Sequence, residues 1–423
     1  MLPFFSKKKE NSSVEQIREK WLCHGCGICE AVCIQDAISL EYSGKYRNYV
    51  PVLDHTKCTQ CKKCLNVCPA MELNFRELSE KFLNCRKHSL LAGFFDQNYI
   101  AWASNDSIRI QASSGGITTA IAIFLLNNKY VNKIIVIKSS SEKSPLDFRG
   151  TIVDSEADLM SAMGSKYCSV TLCGALKDLG QNDKALVIGL PCHIQGIRKA
   201  QLNDHRFRKL NIILLGLFCG STRGREGAEW MIKQHGFEID KLSTITFRGG
   251  GWPGYLRASF VNGKTLKLPY PDYSCFQFSG YRPWRCGLCS DGLAELADLS
   301  IGDAWLKEYT SVDDKGVCVI VARSERGKKI LLEGVSQGII HCVDGDDDIA
   351  VKSQYQMLIN KKYKIYGGFL LAHLLGRSVP LYDNIGEKIS LKMGISRFIS
   401  EIKGLAGWIV TKNTFLNKLF TGR

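Results

Sequence analysis

Two copies of one cysteine pattern constrain this chain more than any other feature of its sequence. Residues 23–33 read CHGCGICEAVC and residues 58–68 read CTQCKKCLNVC, so both segments follow C-x2-C-x2-C-x3-C. Three cysteines at this spacing wrap a tight loop around one [4Fe–4S] cubane, and the fourth cysteine reaches the neighbouring cluster. The repeat therefore predicts a small domain built around two iron–sulfur clusters.

The exchange of the fourth cysteine decides which residues are expected to hold each cluster. Cluster one takes three cysteines of the first copy and the last of the second, namely Cys23, Cys26, Cys29 and Cys68. Cluster two takes the complementary set, namely Cys58, Cys61, Cys64 and Cys33. A pair of zinc knuckles is the alternative for eight cysteines, but zinc sites use paired C-x2-C units and not triple-cysteine loops.

This arrangement is typical of bacterial two-cluster ferredoxins. Residues 37–54, between the two copies, have the pattern of a hairpin of short strands. We therefore predict a ferredoxin-like domain over residues 16–80, preceded by a basic tail at residues 1–15. A two-cluster domain transfers single electrons, so the rest of the chain must hold their source or their acceptor.

Composition and charge limit the setting of this chain. Its 423 residues include 18 cysteines. Residues 1–13 lack the apolar centre of a secretory signal, and the apolar run at residues 117–126 is too short to span a bilayer. We therefore expect a cytoplasmic, reducing environment, where closely spaced cysteines indicate metal ligands or redox chemistry. The formal net charge is +15, and three clusters would lower it to about +9, which favours acidic or anionic partners.

Beyond residue 85, apolar runs alternate with helical segments. The runs at 133–138, 185–190 and 210–218 indicate buried strands. Residues 193–202 and 224–236 indicate the helices that follow the last two strands. Strand–helix–strand order predicts parallel strands. The expected fold is thus a multidomain α+β and α/β protein, with a ferredoxin-like domain followed by an α/β core.

A lone C-x2-C pair, Cys286 and Cys289, supplies only half of the ligands that a cluster needs. Cys192 and Cys219 each follow one of the predicted parallel strands, and the carboxyl ends of such strands lie at one edge of the sheet. We therefore predict a third [4Fe–4S] cluster on these four cysteines. Zinc at the same ligands, or a redox disulfide between Cys286 and Cys289, are the alternatives.

Several glycine-rich segments surround these elements. Residues 111–121, QASSGGITTAI, place small residues immediately before a helix, as an anion-binding loop does. Similar loops occur at residues 164–169, 247–255 and 300–305. None of them matches the G-x-G-x-x-G or Walker A pattern, so a standard dinucleotide fingerprint is absent.

The order of these motifs resembles a known family. Six motifs occur in sequence, namely SSGG (113–116), GSKY (164–167), GLPC (189–192), FCG (218–220), FRGGGW (247–252) and C-x2-C followed by ADLSIGDAW (286–305). The chain resembles the beta subunits of coenzyme F420-reducing hydrogenases and dehydrogenases, fused to a two-cluster ferredoxin. The resemblance implies an N-terminal-type domain over 85–175 and a C-terminal-type domain over 176–343. We expect a helical extension after them, over 344–423. Chlorophyll-pathway reductases share this core, so the resemblance does not name the substrate.

The resemblance also implies an FAD in the core, beside an iron–sulfur cluster. Expected flavin contacts lie on the SSGG and GSKY loops and after the last strand motif, at Ser113, Ser114, Gly115, Gly116, Thr118, Ser165, Lys166, Tyr167, Asp303 and Trp305. Lys166 and His193 are the candidate catalytic residues. Lys166 could steer an anionic carrier or a flavin phosphate, with a solvated surface lysine as the alternative. His193 stands where many relatives have glutamine, and Gly220 stands where they have histidine.

The predicted function follows from these parts. We expect an iron–sulfur flavoprotein oxidoreductase that links a hydride carrier such as coenzyme F420, or another reducible substrate, to a ferredoxin or other redox protein. A flavin fits because it exchanges electrons singly and in pairs. A relay subunit without flavin is the first alternative. A zinc-dependent nucleic-acid-binding protein is the second; the cysteine spacing and the lack of interleaved aromatic and basic residues argue against it, so no nucleic-acid partner is expected.

The C-terminal residues carry a helical pattern of their own. Apolar residues recur at helical spacing, at Ile395, Phe398, Ile399, Ile402 and Leu405, with basic residues between them. The pattern predicts either a packed terminal helix or a basic amphipathic helix that contacts a membrane surface or a partner protein.

Overall fold

The computed structural model describes residues 13–141, 144–273, 279–311, 313–386, 398–399 and 402. These residues form an N-terminal module that packs against an α/β core. The mixed α/β multidomain architecture predicted from the sequence is thereby confirmed.

The N-terminal module consists of short helices and one hairpin. Its elements are α1 (Glu15–Glu19), α2 (Ile28–Ala31), β1 (Ile38–Ser43), β2 (Asn48–Leu53) and α3 (Lys63–Asn66). β1 and β2 pair antiparallel, with Ile38 opposite Leu53, which confirms the predicted hairpin. Each triple-cysteine loop leads into a short helix, α2 or α3, and the fourth cysteine of each copy follows that helix.

A connecting segment joins the module to the core. It contains β3 (Glu72–Leu73), α4 (Phe75–Phe82), β4 (Lys87–Ser89) and β5 (Gly93–Phe95). α4 begins after Asn74, whose side chain accepts a hydrogen bond from the Glu77 N–H at 2.9 Å and so caps the helix. Phe75 and Leu78 turn the apolar side of α4 towards the core.

The core is organised around one nine-stranded sheet. Its first half supplies β6 (Gln97–Ala103), α5 (Asp106–Gln111), α6 (Ile117–Asn127), β7 (Lys133–Ser141), β8 (Ser144–Val153), α7 (Glu156–Ser161) and β9 (Val170–Thr171). Its second half supplies β10 (Lys184–Gly189), α8 (Pro191–Asn203), α9 (His205–Lys209), β11 (Asn211–Leu217), α10 (Arg225–Gln234), β12 (Leu242–Thr246), β13 (Tyr255–Phe260), β14 (Thr265–Pro269), β15 (Leu299–Asp303), α11 (Lys307–Thr310), β16 (Cys318–Ala322), α12 (Glu325–Ser336) and β17 (Ile340–Gly345). The sheet order is β17-β6-β16-β15-β11-β10-β7-β8-β9.

Parallel strands stand at the centre of this sheet. β10 pairs in parallel with β7 and β11, and β11 pairs in parallel with β15. The three strands predicted from the apolar runs are therefore confirmed as adjacent parallel strands, and α8 and α10 confirm the two predicted helices. The segments predicted as separate domains over 85–175 and 176–343 both supply strands to the one sheet.

The two faces of the sheet bury different partners, because successive side chains of a strand point to opposite faces. On one face, Ile121 of α6 and Leu331 of α12 pack over the sheet. On the other, Ile194 and Ile197 of α8 pack together with Ile28 of α2. α8, which begins at Pro191, thus forms the surface against which the N-terminal module packs.

A smaller antiparallel sheet, β12-β13-β14, packs with α10 beside the main sheet. The FRGGGW motif connects β12 to β13. Four short 3-10 helices complete the described core, at Cys173–Asp178, Ile239–Lys241, Ser279–Tyr281 and Trp284–Leu288.

The chain continues beyond the sheet with α13 (Ile349–Lys362), α14 (Ile365–Leu374) and β18 (Leu381–Tyr382), and β18 pairs in parallel with β3. Of the residues predicted to form the terminal amphipathic helix, Phe398, Ile399 and Ile402 have helical backbone. Ile395 and Leu405 lie outside the described residues. Among the helices that the structure describes, none combines the length and the apolar character that crossing a bilayer requires.

Candidate functional site

Four of the eight module cysteines line one small cavity, and these are Cys23, Cys26, Cys29 and Cys68. Three come from the first copy of the repeat and the fourth from the second copy, which is the combination that the spacing predicts. Apolar side chains of α1 and the hairpin close the cavity. The Gly25 N–H donates to Cys23 Sγ at 3.3 Å, as expected of a loop that surrounds an anionic cluster.

The other four module cysteines, Cys33, Cys58, Cys61 and Cys64, line a second cavity. Here the Ala37 N–H donates to Cys33 Sγ, again at 3.3 Å. Cys61 is exposed, and so are Lys62 and Lys63 beside it. This second cavity therefore lies at the surface of the protein.

The two cysteine loops share a backbone conformation but not an environment. Gly25 and Gly27 of the first loop have φ of +73° and +86°, and Gln60 and Lys62 at the matching positions of the second loop have φ of +55° and +60°. A Cβ on Gly27 would lie 2.8 Å from Thr171 Oγ1, because the first loop packs against the core. The second loop faces solvent, where full side chains fit at the same φ.

The core brings together Cys192, Cys219, Cys286 and Cys289, which we term the core cysteine group. Cys192 and Cys219 follow β10 and β11 at one edge of the sheet. Burial raises the pKa of Cys192 well above its ordinary value, and the charges of Cys26 and of the three other members of the group raise it further. The Cys219 N–H donates to the Gly292 carbonyl at 2.9 Å, which ties the β11 loop to the segment after the C-x2-C pair.

A buried cation faces this group. Lys361 of α13 is only 7% exposed. Its stem packs on Gly292, where an added Cβ would lie 3.2 Å from Lys361 Cδ. Burial lowers the pKa of Lys361, but the charges of the nearby cysteines, Cys289 first, outweigh burial and raise it overall. Burial and charge also act on Cys219. Burial raises the pKa of this thiol to about 12, and the positive charge of Lys361 opposes the rise.

One turn of α8 separates the core cysteine group from the cluster-one cavity. A Cβ on Gly196, four residues after Cys192, would lie 3.5 Å from Cys26 Sγ. Cys173 also lies between the two sites. Its Sγ donates to the His193 carbonyl at 3.6 Å. A hydrogen bond with Cys173 lowers the pKa of Cys26, although burial acts in the opposite direction.

In the part of the chain that the structure describes, no three His, Cys, Asp or Glu side chains converge at the spacing of a single-metal site. The sulfur ligands of a cubane stand further apart than those of one ion, because each binds a different iron.

A cavity of about 310 Å³ opens beside the core cysteine group. It lies at the carboxyl ends of the parallel strands, where open α/β sheets bind ligands, and its volume is within the range of small-molecule sites, about 300–1,000 Å³. Most of the expected flavin residues line it, namely Ser113, Ser114, Gly116, Thr118, Ser165, Lys166, Tyr167 and Asp303. His193 and Cys219 line it as well, so that Cys219 belongs to both the cavity and the cysteine group.

Two of the expected flavin residues, Gly115 and Trp305, are not among the described residues that line the cavity. The Gly115 carbonyl accepts the Ala103 N–H at 2.7 Å, so that Gly115 anchors the SSGG loop to β6. The Trp305 ring is 39% exposed and packs on Trp252, with ring centroids 4.8 Å apart. Trp305 therefore covers the FRGGGW loop.

The two loops at the cavity wall are linked to each other. The Ser165 N–H donates to Ser113 Oγ at 2.7 Å, and Ser114 Oγ donates to the Val317 carbonyl at 3.0 Å. Gly116 has φ of +76°, which turns the chain directly into α6. The eleven-residue helix thus begins at the cavity wall, and its first N–H groups are suited to an anion.

Lys166 is neither a solvated lysine nor a free cation in the cavity. Its Nζ donates to the carbonyls of Ala162, Met163 and Gly164, the last two at 3.0 and 2.8 Å. These carbonyls follow the end of α7, so the ammonium group caps that helix end. Burial lowers the pKa of Lys166 to about 8.

His193 is buried in the first turn of α8. Its Nδ1 accepts the Leu190 N–H at 3.1 Å, which assigns the ring proton of the neutral imidazole to Nε2. Burial lowers the pKa of His193 to about 3. His193 is therefore a neutral donor at the cavity wall, and at neutral pH it carries no charge.

Two buried residues near the cysteine sites escaped the sequence reasoning, namely Arg285 and Lys361, and the half-buried His24 lies near both. His24 lines the cluster-one cavity, and burial together with the charge of Arg285 lowers its pKa well below the ordinary value. Arg285 was signalled only by its position directly before Cys286. Lys361 has no motif around it, because α13 reaches the site through tertiary packing.

The fold and the cysteine sites define an iron–sulfur protein in which a dicluster domain is joined to an α/β core. Residues 22–71 match the 4Fe-4S dicluster domain. Residues 98–177 match the N-terminal domain of the coenzyme F420 hydrogenase/dehydrogenase beta subunit, and residues 182–348 match its C-terminal domain. The chain belongs to the coenzyme F420 hydrogenase/dehydrogenase beta-subunit family.

Individual relatives are distant. The chain is 27% identical to the coenzyme F420-dependent sulfite reductase of Methanocaldococcus jannaschii, over 76% of this chain and 48% of the relative, so it spans just under half of that protein. It is 25% identical to the coenzyme F420 hydrogenase subunit beta of Methanococcus voltae, over 66% of this chain and 96% of that subunit. A chain in the xenon-derivatised F420-reducing [NiFe] hydrogenase complex from Methanosarcina barkeri has a similar fold, with a TM-score of 0.54 and 20% identity over 70% of this chain and 98% of that one.

Proposed function

We propose that this protein is an iron–sulfur flavoprotein oxidoreductase that transfers electrons between a hydride carrier of the coenzyme F420 type, or another reducible substrate, and its [4Fe–4S] clusters. The observation that carries the proposal is the double position of Cys219, which lines the 310 Å³ cavity and belongs to the core cysteine group. A cofactor in that cavity would stand beside a cluster held by that group.

The donor chemistry of the cysteine sets fits three [4Fe–4S] clusters. Cluster one would be held by Cys23, Cys26, Cys29 and Cys68, and cluster two by Cys33, Cys58, Cys61 and Cys64. The third would be held by the core cysteine group. Buried thiols lose little by ligation, because the metal supplies the positive charge that a buried thiolate otherwise lacks.

The large cavity fits an FAD through its loops and walls. A bound flavin exchanges hydride with a carrier and single electrons with clusters. The start of α6 and the small residues of the SSGG and GSKY loops offer N–H and hydroxyl donors to phosphate oxygens. His193 Nε2–H offers one neutral donor, and the apolar side chains of Ile188 and Leu217 exclude water from the cavity wall.

The three cysteine sites have a fixed order in space. The core cysteine group borders the cavity, α8 connects it to Cys26 of the cluster-one site, and the cluster-two site is outermost at Cys61. This order supports electron exchange with an external protein at cluster two. The exposed Lys62 and Lys63 favour an acidic partner such as a ferredoxin.

Cofactor analysis tests the proposal. Protein purified without oxygen is expected to contain about 12 Fe and one FAD per chain. Iron without flavin would instead support a relay subunit, and zinc in place of iron would reject both. The flavin absorbance would then be followed on mixing with reduced coenzyme F420, NADH or reduced ferredoxin. We expect bleaching by reduced coenzyme F420; bleaching by another donor alone would reject the F420-type carrier.

A further inference from the structure

Arg285 occupies an unusual position between the N-terminal module and the C-x2-C loop. It is 1% exposed. Its Nε donates to the Leu22 carbonyl at 2.9 Å, its Nη1 to the Leu288 carbonyl at 2.7 Å and its Nη2 to the Ala70 carbonyl at 3.1 Å. The fourth partner is the Tyr382 hydroxyl, at 2.5 Å from Nη2. All of these partners are neutral.

Each carbonyl belongs to a residue within two positions of a cysteine that we assign to a cluster. Leu22 precedes Cys23, and Ala70 lies two residues after Cys68, so two of the bonds reach the cluster-one site. Leu288 precedes Cys289 of the core cysteine group. One planar guanidinium therefore joins the backbones of two different cluster sites.

Arg285 has no carboxylate within 4.0 Å among the residues that the structure describes. This differs from Arg248, another buried arginine, which is paired with Asp303. A buried cation without a counter-charge is costly. The charge of Arg285 instead stands beside the cysteine loops, because its carbonyl partners Leu22, Ala70 and Leu288 belong to the segments that carry Cys23, Cys68 and Cys289.

We propose that Arg285 is a positioning residue that holds cluster one and the core cluster at a fixed separation, and that the charge of Arg285 and the charges of these two clusters compensate one another. The inference rests on the proposed assignment of the cysteines to clusters. Tyr382 of β18 completes the contact, so that the C-terminal part of the chain also supports this cation.

This role has a selective electrochemical consequence. Adding an electron to a cluster adds negative charge, and a nearby buried cation favours that step. Arg285→Gln should therefore make cluster one and the core cluster harder to reduce, by about tenfold in the equilibrium constant, or about 59 mV for one electron. Cluster two, which Arg285 does not contact, should change little.

The test is a redox titration of the holoprotein followed by electron paramagnetic resonance. Arg285→Gln is expected to lower two of the three reduction potentials, and Arg285→Lys, which keeps the charge, is expected to restore most of the difference. Arg377→Gln is the matched control, because Arg377 lies 4.3 Å from the Trp284 ring but is only half-buried. Unchanged potentials in Arg285→Gln with full iron content would overturn the inference.

A second pair of variants covers the case in which Arg285→Gln does not accumulate as holoprotein. Tyr382→Glu places a carboxylate beside Arg285 and should lower the same two potentials, whereas Tyr382→Phe should not. Equal potentials in these two variants would reject the role of the charge. Wild-type protein with only about 8 Fe would instead count against the core cluster, and thus against the proposed function.

Discussion

Arg248 and Asp303 form a two-pronged salt bridge at the edge of the large cavity, with Nη1–Oδ2 at 2.9 Å and Nη2–Oδ1 at 3.1 Å. Trp252 Nε1 donates to the same carboxylate at 2.9 Å. The FRGGGW loop is thereby fixed to the end of β15. Burial lowers the pKa of Arg248, but Asp303 outweighs burial and raises it overall, so the guanidinium stays charged.

Loss of the carboxylate should destabilise the protein strongly. Asp303→Asn leaves the Arg248 cation buried without a counter-charge, which costs about 3–5 kcal/mol when such a pair is broken. We expect the melting temperature of the holoprotein to fall by about 5 °C or more, measured by circular dichroism. Asp240→Asn, in an exposed pair with Lys241 at 3.7 Å, should change it by less than about 1 °C. Equal effects of the two substitutions would contradict this account.

The core cluster that we propose on the core cysteine group predicts a defined iron stoichiometry. Cys286→Ser removes one of its four ligands, and the iron content should fall from about 12 to about 8 per chain. Cys342→Ser on β17 is the matched control, because this cysteine lies outside the three cysteine sets. Iron analysis of both variants, purified without oxygen, decides the matter. An iron content that stays at about 12 in Cys286→Ser would reject Cys286 as a ligand, and about 8 Fe in both the wild type and Cys286→Ser would reject the core cluster.

Filling the cavity should separate flavin binding from iron binding. Thr118 lines the cavity at the start of α6. Thr118→Trp places an indole in that space, so bound FAD should fall by at least about tenfold while the iron content remains unchanged. The flavin released by denaturation can be measured by fluorescence. Thr265→Trp, on the exposed side of β14, should retain the flavin, and normal flavin content in both variants would argue for a different site.

The buried Lys166 predicts a dependence of stability on alkaline pH. Burial lowers its pKa from 10.5 to about 8, so between these values the unfolded chain binds more protons than the folded one. The free energy of unfolding should therefore rise with pH in this window, by up to about 1.4 kcal/mol per pH unit. Below pH 8 the ammonium group is charged in both states, so its contribution no longer changes with pH.

Urea unfolding midpoints between pH 7.5 and 10 measure this effect. Lys166→Met should abolish the contribution of this residue to the rise, whereas Lys129→Met, at an exposed position, should leave the pH dependence as it is in the wild type. A rise of equal size in all three proteins would show that another group titrates.

Cysteine spacing and strand order were sufficient to predict which cysteines lie together where that proximity is local or follows from the order of the sheet. The first three cysteines of each loop are only three residues apart in sequence, so their proximity is local. Cys192 and Cys219 meet because parallel strands end at one edge of the sheet. Lys361 and Arg285 could not be predicted in the same way, since their burial depends on helix and loop packing over long sequence separations. Trp305 is not among the described residues that line the cavity, because the chain leaves the cavity directly after Asp303. The role of Lys166 depends on where α7 ends, which a glycine-rich motif does not specify.

The unequal burial of the two cysteine loops also determines which of the two proposed clusters oxygen would damage first. Oxygen and chelators reach iron by diffusion, and the loop of Cys61 is open to them, whereas the loop of Cys26 is shielded by Thr171 and the core. In the proposed arrangement, damage would begin at cluster two and would stop electron exchange with a partner protein before it reached the inner clusters. A briefly aerated preparation would lose electron exchange with the partner protein but would keep its inner clusters. Reconstitution of cluster two alone would restore the exchange.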